Sequence, residues 1–140
     1  MRVRLRRENS AVHFVAENDA GNTVDIDGDE AVGGENAGFR PMQLLLASLA
    51  GCASMDLVPI LKKQRQRLDD VSVRVDGTRA EGVVPRPFTA IHLHFDLYGE
   101  VDVDKAARAV ELSVEKYCSV AESLSPEIAL THSYEVHAAG

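Results

Sequence analysis

Residues 42–61 form the longest apolar stretch of the chain, with Gln43, Ser48, Ser54 and Asp56 as the clearly polar side chains within it. Pro41 stands just ahead of this run. A proline fits the first turn of a helix, where its missing N–H costs nothing. Residues 62–67 then place cations where the helix macrodipole favours them. Pro59 clashes with the turn before it and is expected to kink or restart the helix. A helix that is apolar all round must be buried on all sides.

Three readings of this run compete. Its length, about 20 residues, equals a bilayer span. Against that, Asp56 would cost roughly 2.5–3.5 kcal/mol at the bilayer centre. The tetrapeptide Leu49-Ala50-Gly51-Cys52 also matches a lipoprotein cleavage signal. Cleavage there would discard three strand-like segments, and the chain after Cys52 stays apolar instead of becoming a polar tether. The third reading is a core helix, and it is preferred. A small domain has trouble surrounding one helix completely, so two copies packing their central helices together, an obligate homodimer, are expected.

Those strand-like segments are read from alternation. Val3 and Leu5 alternate with arginines; Val12, Phe14 and Ala16 make a second segment, and Val24 and Ile26 a third. Asn9-Ser10 and Asp19-Ala20-Gly21-Asn22 supply turn chemistry between them. Further on, Val71, Val73 and Val75 alternate with polar residues, as do Ile91, Leu93, Phe95 and Leu97. The turn between these two strands falls near Gly82 and Pro87. Residues 102–124 return to helical spacing, with Val110, Val114, Cys118, Ala121 and Leu124 on one face. Ser125-Pro126 stops that helix, and Ile128, Leu130, Tyr134 and Val136 mark a last strand with His132 on the same face. The order predicts an α+β fold with helices packed on antiparallel sheet, in a single domain covering residues 1–140.

Charge narrows the function classes. Fifteen Lys and Arg against 22 Asp and Glu leave a formal net charge of −7. That argues against general nucleic-acid binding, which needs basic surface to neutralise phosphates. The basic group Arg2, Arg4, Arg6 and Arg7 is read as a solvated strand face. Two cysteines do not make a disulfide scaffold. Residues 1–7 alternate like a strand and unlike a signal peptide, so a cytoplasmic location is expected.

The segments around the two cysteines carry a resemblance. Arg40-Pro-Met-Gln-Leu-Leu-Leu-Ala-Ser-Leu-Ala-Gly-Cys52 resembles the proline-initiated helix that bears the reactive thiol in OsmC/Ohr proteins. Glu115-Lys-Tyr-Cys118-Ser-Val-Ala resembles the segment around that family's second cysteine. Phe88-Thr-Ala-Ile-His-Leu-His-Phe95 and Thr131-His-Ser-Tyr-Glu-Val136 look like its YhfA-like branch. The resemblance implies an OsmC-like fold, with antiparallel sheets around a long central apolar helix. It implies an intertwined homodimer with two sites at the subunit interface. It also implies that Cys52 attacks an organic hydroperoxide and that the resulting sulfenic acid condenses with Cys118. A dithiol reductant, of lipoyl type in the Ohr branch, then restores both thiols. No cofactor and no metal are implied.

The chemistry of thiols sets conditions on this reading. A free thiol has a pKa of about 8.5, and only the thiolate is nucleophilic. Mid-helix, Cys52 gains little from either helix end. Asp56, one turn on, would disfavour the thiolate if ionised and close. In the family an arginine supplies the cation, held by a glutamate. Here Met42, followed by Gln43, stands ten residues before Cys52 where Ohr proteins carry that glutamate. The arginine could be Arg2, Arg4, Arg6, Arg7 or Arg40. A straight helix puts Met42 roughly 15 Å from Cys52, so groups near it would reach a partner's thiol more readily than their own. The alternatives are a non-catalytic thiol switch or small-molecule binding module on the same fold, and a structural dimer with inert thiols.

Other residues carry weaker signals. His92 and His94 share one strand face and could pair on a metal, with His132 as a third ligand. No carboxylate is tied to that pair by spacing, and solvent-facing histidines are the expected reading. His132 is expected to be a hydrogen-bonded core histidine. Asp56 is expected to pair with a nearby Arg, Lys or His, or to tune Cys52.

Overall fold

A computed structural model of the chain describes residues 1–138. It divides into two compact units, Met1–Leu45 and Leu46–Gly140.

In the first unit the three expected strands form an antiparallel meander, β1 (Val3–Arg7), β2 (Phe14–Asn18) and β3 (Thr23–Ile26), in that order. Asparagine side chains build the turns. Asn9 accepts from the N–H groups of Ala11 and His13, and Asn18 accepts from those of Ala20 and Asn22. The basic face of β1 is partly neutralised. Arg4 pairs with Asp19 at 3.2 Å, and Arg6 with Glu8 at 2.9 Å and Glu17 at 3.2 Å.

After β3 the chain enters a loop organised by one buried carboxylate. Asp27, 2% exposed, accepts from the N–H groups of Gly28, Glu35 and Ala37. Burial works against its ionisation, but those three donors outweigh burial and hold the carboxyl below its ordinary value. The loop folds back so tightly that a Cβ on Gly34 would lie 2.0 Å from the Gly28 carbonyl oxygen. Only glycine fits there.

The apolar run forms α1 (Pro41–Lys63), which passes through Pro59 without restarting. Its N-terminus is capped by Gln43, whose Oε1 accepts from the Arg40 N–H. Within one chain the burial of α1 is one-sided. Leu49, Ala53, Leu57 and Leu61 are completely buried, a single stripe at four-residue spacing, whereas Met55 is 79% and Val58 44% exposed. This chain supplies cover for one face of α1 only. The helix has the length and apolarity of a membrane span, but its buried stripe belongs to a protein core.

The second unit holds β4 (Arg67–Arg79), β5 (Phe88–Glu100) and β6 (Ala129–His137), in that order. β4 and β5 are longer than the alternating cores suggest, because their ends are polar. A bulge near Leu68–Asp70 meets Gly99, whose φ of 139° brings its backbone against the Arg67 carbonyl. Ile91, Leu93, Phe95 and Leu97 on the inner face of β5 are all buried. Each such side chain contributes about 1.5–3 kcal/mol by leaving water.

Two expectations are corrected here. The sheet is mixed: β4 and β5 are antiparallel, but β6 runs parallel to β5. The helical connection from β5 to β6 carries the chain back to the starting end of β5, the geometry a parallel pair requires. The single helix expected over residues 102–124 is instead α2 (Val103–Glu111), a π turn over Leu112–Lys116, and α3 (Ser119–Ser123). Asp102 caps α2 through the Lys105 N–H.

Candidate functional site

The break between α2 and α3 positions Cys118. The Tyr117 N–H donates to the Leu112 carbonyl at 3.0 Å, five residues back, which is the π-type bond. Such turns inside helices are frequent at functional sites. The backbone then leaves helical space at Cys118, with ψ at 103°. Its sulfur accepts from the Ala121 N–H at 3.4 Å.

Cys52, on α1, lies beside that sulfur, near enough to act on its titration. Both cysteines are free thiols; Cys118 is buried and Cys52 half-buried. Burial pushes the Cys118 thiol up, and so does the neighbouring Cys52, while the N–H groups of Ala121 and Val120 oppose this.

One cleft borders Cys118 and a second adjoins it. One, of about 770 Å³, is lined by Lys116, Tyr117, Cys118, Glu122 and Leu130 among others. The other, of about 460 Å³, is lined by Asp56, Pro59, Ile60, Lys63, Leu112 and Tyr117. Tyr117 is the wall they share, and the Lys116 ammonium lies 5.3 Å from its ring centroid. The sequence reading passed over Lys116 and Tyr117. Their adjacency to Cys118 was the available signal.

Asp56 lines the second cleft, and among the described residues its side chain makes no hydrogen bond or ion pair. The expected pairing with Arg, Lys or His is thus not found among the described residues. Met42 lies half-buried in the first turn of α1. Four of the five candidate arginines are held locally. Arg4 and Arg6 pair as described, Arg7 donates to the carbonyls of Ala11 and Ser10, and Arg40 donates to Gly38 and Asn36.

The histidines separate by sheet face. His132 lies on the inner face, half-buried, with Nε2 3.6 Å from Glu115 of the π turn. His92 and His94 lie on the outer face and share the Ser133 hydroxyl.

Residues 33–133, a span that includes both cysteines, match the family described as OsmC-like protein. This chain belongs to the OsmC/Ohr family. Protein YhfA of Escherichia coli K12 is 44% identical over 127 residues, covering 90% of this chain and 91% of YhfA. The crystal structure of a hypothetical protein from Aquifex aeolicus VF5 superposes with a TM-score of 0.85 at 32% identity, over 99% of this chain and 97% of that one. An organic hydroperoxide resistance protein OsmC from Legionella pneumophila shares the fold, with a TM-score of 0.71 at 18% identity over 96% of this chain and 97% of that one. Membership of the OsmC/Ohr family supports a thiol-based redox role.

Proposed function

We propose that this OsmC/Ohr protein reduces organic hydroperoxides through Cys52, with Cys118 as the resolving cysteine. The observation that carries this reading is the nearness of two free thiols that are remote in sequence, with Cys118 buried at the break between two helices. The Cys52 thiolate attacks the O–O bond of ROOH, and with one proton taken up this gives Cys52 sulfenic acid and ROH. The Cys118 thiol then condenses with the sulfenic acid, releasing water and forming a disulfide. A small dithiol reduces that disulfide by exchange and leaves as its own disulfide. Two electrons pass from dithiol to peroxide in each cycle. Leu112, Ile60 and Pro59 line the cleft that adjoins the Cys118 cleft across Tyr117, and they favour an apolar R group.

A second copy of the chain completes this reading, as a homodimer. The uncovered face of α1, with Met55 and Val58, together with Val3 and Leu5 on β1 (each 58% exposed), is more apolar surface than one chain hides. Such a partner could also bring an arginine to Cys52. We place the work of this single OsmC-like domain in the cytoplasm, where a dithiol pool keeps both sulfurs reduced.

Stopped-flow turnover with cumene hydroperoxide and a dithiol tests the enzyme reading. Steady turnover that depends on Cys52 is the expected result. Unchanged turnover in Cys52→Ser would remove it. Absent turnover with thiols still reactive to alkylation would leave a thiol switch in its place.

A further inference from the structure

We infer that the outer face of the mixed sheet carries a divalent metal site made by His94, Asp96, Glu135 and His137, fitting a borderline ion of the zinc class. The four residues come from two adjacent parallel strands, β5 and β6, at alternating positions that share one face. Around the ring of donor atoms, His94 Nε2 lies 3.4 Å from Asp96 Oδ1 and 4.0 Å from Glu135 Oε2. His137 Nε2 lies 2.8 Å from the same Asp96 oxygen and 3.7 Å from the same Glu135 oxygen. A tetrahedral zinc ion, with ligands at about 2.0–2.1 Å, spaces them about 3.3–3.4 Å apart. These four separations bracket that value, and side-chain adjustments of about half an ångström bring them to it.

The chemistry of the donors agrees with the geometry. Two carboxylates and two neutral imidazoles balance a divalent charge, and imidazole with carboxylate suits ions of this class. The surroundings orient both rings. The His94 Nδ1 lies 2.7 Å from the Ser133 hydroxyl, so a donated Nδ1–H fixes the tautomer that leaves Nε2 free for metal. The His137 ring stacks on Tyr98, with centroids 4.8 Å apart. Arg74, opposite His94 on β4, turns its guanidinium to Asp76 and does not occupy the site. The side chains of His94 and Asp96 are only 15% and 25% exposed, whereas Glu135 is 64% exposed and forms the open lip through which an ion enters. On binding, the proton between His137 and Asp96 is displaced to solvent.

Thiols also bind zinc, so the test begins from the full chain with Cys52→Ser and Cys118→Ser combined. Titration with Co²⁺ alone should give one equivalent bound, with ligand-field bands and no sulfur-to-metal charge-transfer band. Zn²⁺ should then displace the Co²⁺. His94→Ala and, independently, Glu135→Gln should each weaken binding at least tenfold, while His132→Ala on the opposite face should leave it unchanged. Absence of stoichiometric binding in the cysteine-free chain would overturn the site. Binding that survives both His94→Ala and Glu135→Gln would do the same.

Discussion

The Cys118 sulfur lies beside Cys52 because a π turn ends one helix just before it and a second helix starts just after it. A continuous helix would hold residue 118 in helical register. The break frees its backbone to adopt an extended conformation and directs the sulfur to α1. Burial and the neighbouring sulfur raise the Cys118 thiol above its ordinary value, which suits it to the resolving role proposed for it.

Separated roles predict separated defects. Cys52→Ser should lower peroxidase turnover at least about 100-fold, since the nucleophile itself is gone. Cys118→Ser should still consume one equivalent of peroxide rapidly, then stall at the sulfenic acid and pass to the sulfinic acid under excess oxidant. Rapid-quench peroxide consumption distinguishes the two variants.

The raised Cys118 pKa gives a pH signature. Below the ordinary thiol value of about 8.5, Cys118 is protonated in both folded and unfolded chains, and its contribution to stability is fully present. As pH rises past that value the unfolded chain ionises first, so stability falls until the higher folded pKa is passed. Alkylation of Cys118 in the Cys52→Ser variant should show its midpoint above that of a free thiol, because burial remains. It should lie below the midpoint in the native pair, because the neighbouring sulfur is gone.

Asp27 gives the opposite sign at acid pH. Its folded pKa is lowered, so its stabilisation is present above the ordinary carboxyl value of about 3.9. It is lost as pH falls through the lower folded value. Asp27→Asn, which keeps one acceptor oxygen for three donors, should lower Tm at pH 7 and flatten the acid limb of a Tm-against-pH curve.

The uncovered face of α1 predicts a change of assembly without loss of fold. Met55→Glu and Val58→Glu should convert a dimer to a monomer in sedimentation equilibrium while the far-ultraviolet circular dichroism stays native. Leu57→Ala, in the buried stripe, should instead destabilise the chain itself by about 2–5 kcal/mol.

Much of this was legible in the residues. The order of strands and helices followed from alternation, and the family followed from the segments around Cys52 and Cys118. What stayed hidden shares a cause. Periodicity reports which face of an element is apolar, but it does not report what covers that face; hence α1 reads as buried all round although Met55 is open. Helical spacing across residues 110–124 is nearly unchanged by one inserted residue, so the π turn at Leu112–Lys116 left no mark in the pattern. The direction of β6 depends on the path of the connection before it, which apolar alternation does not encode. Asp96, Glu135 and His137 look unremarkable singly. Their alternation with His94 and Ser133 on neighbouring strands becomes meaningful only once β5 and β6 are paired in register.

One equivalent of cumene hydroperoxide added to the fully reduced chain, followed by peptide mass spectrometry without reductant, addresses the sulfur pair most directly. A Cys52–Cys118 disulfide within one chain, formed at the expense of two hydrogens, is the expected product. Intact thiols on both residues, or oxygen added to Cys52 with Cys118 left unlinked, would contradict the pairing of the two sulfurs in one redox step.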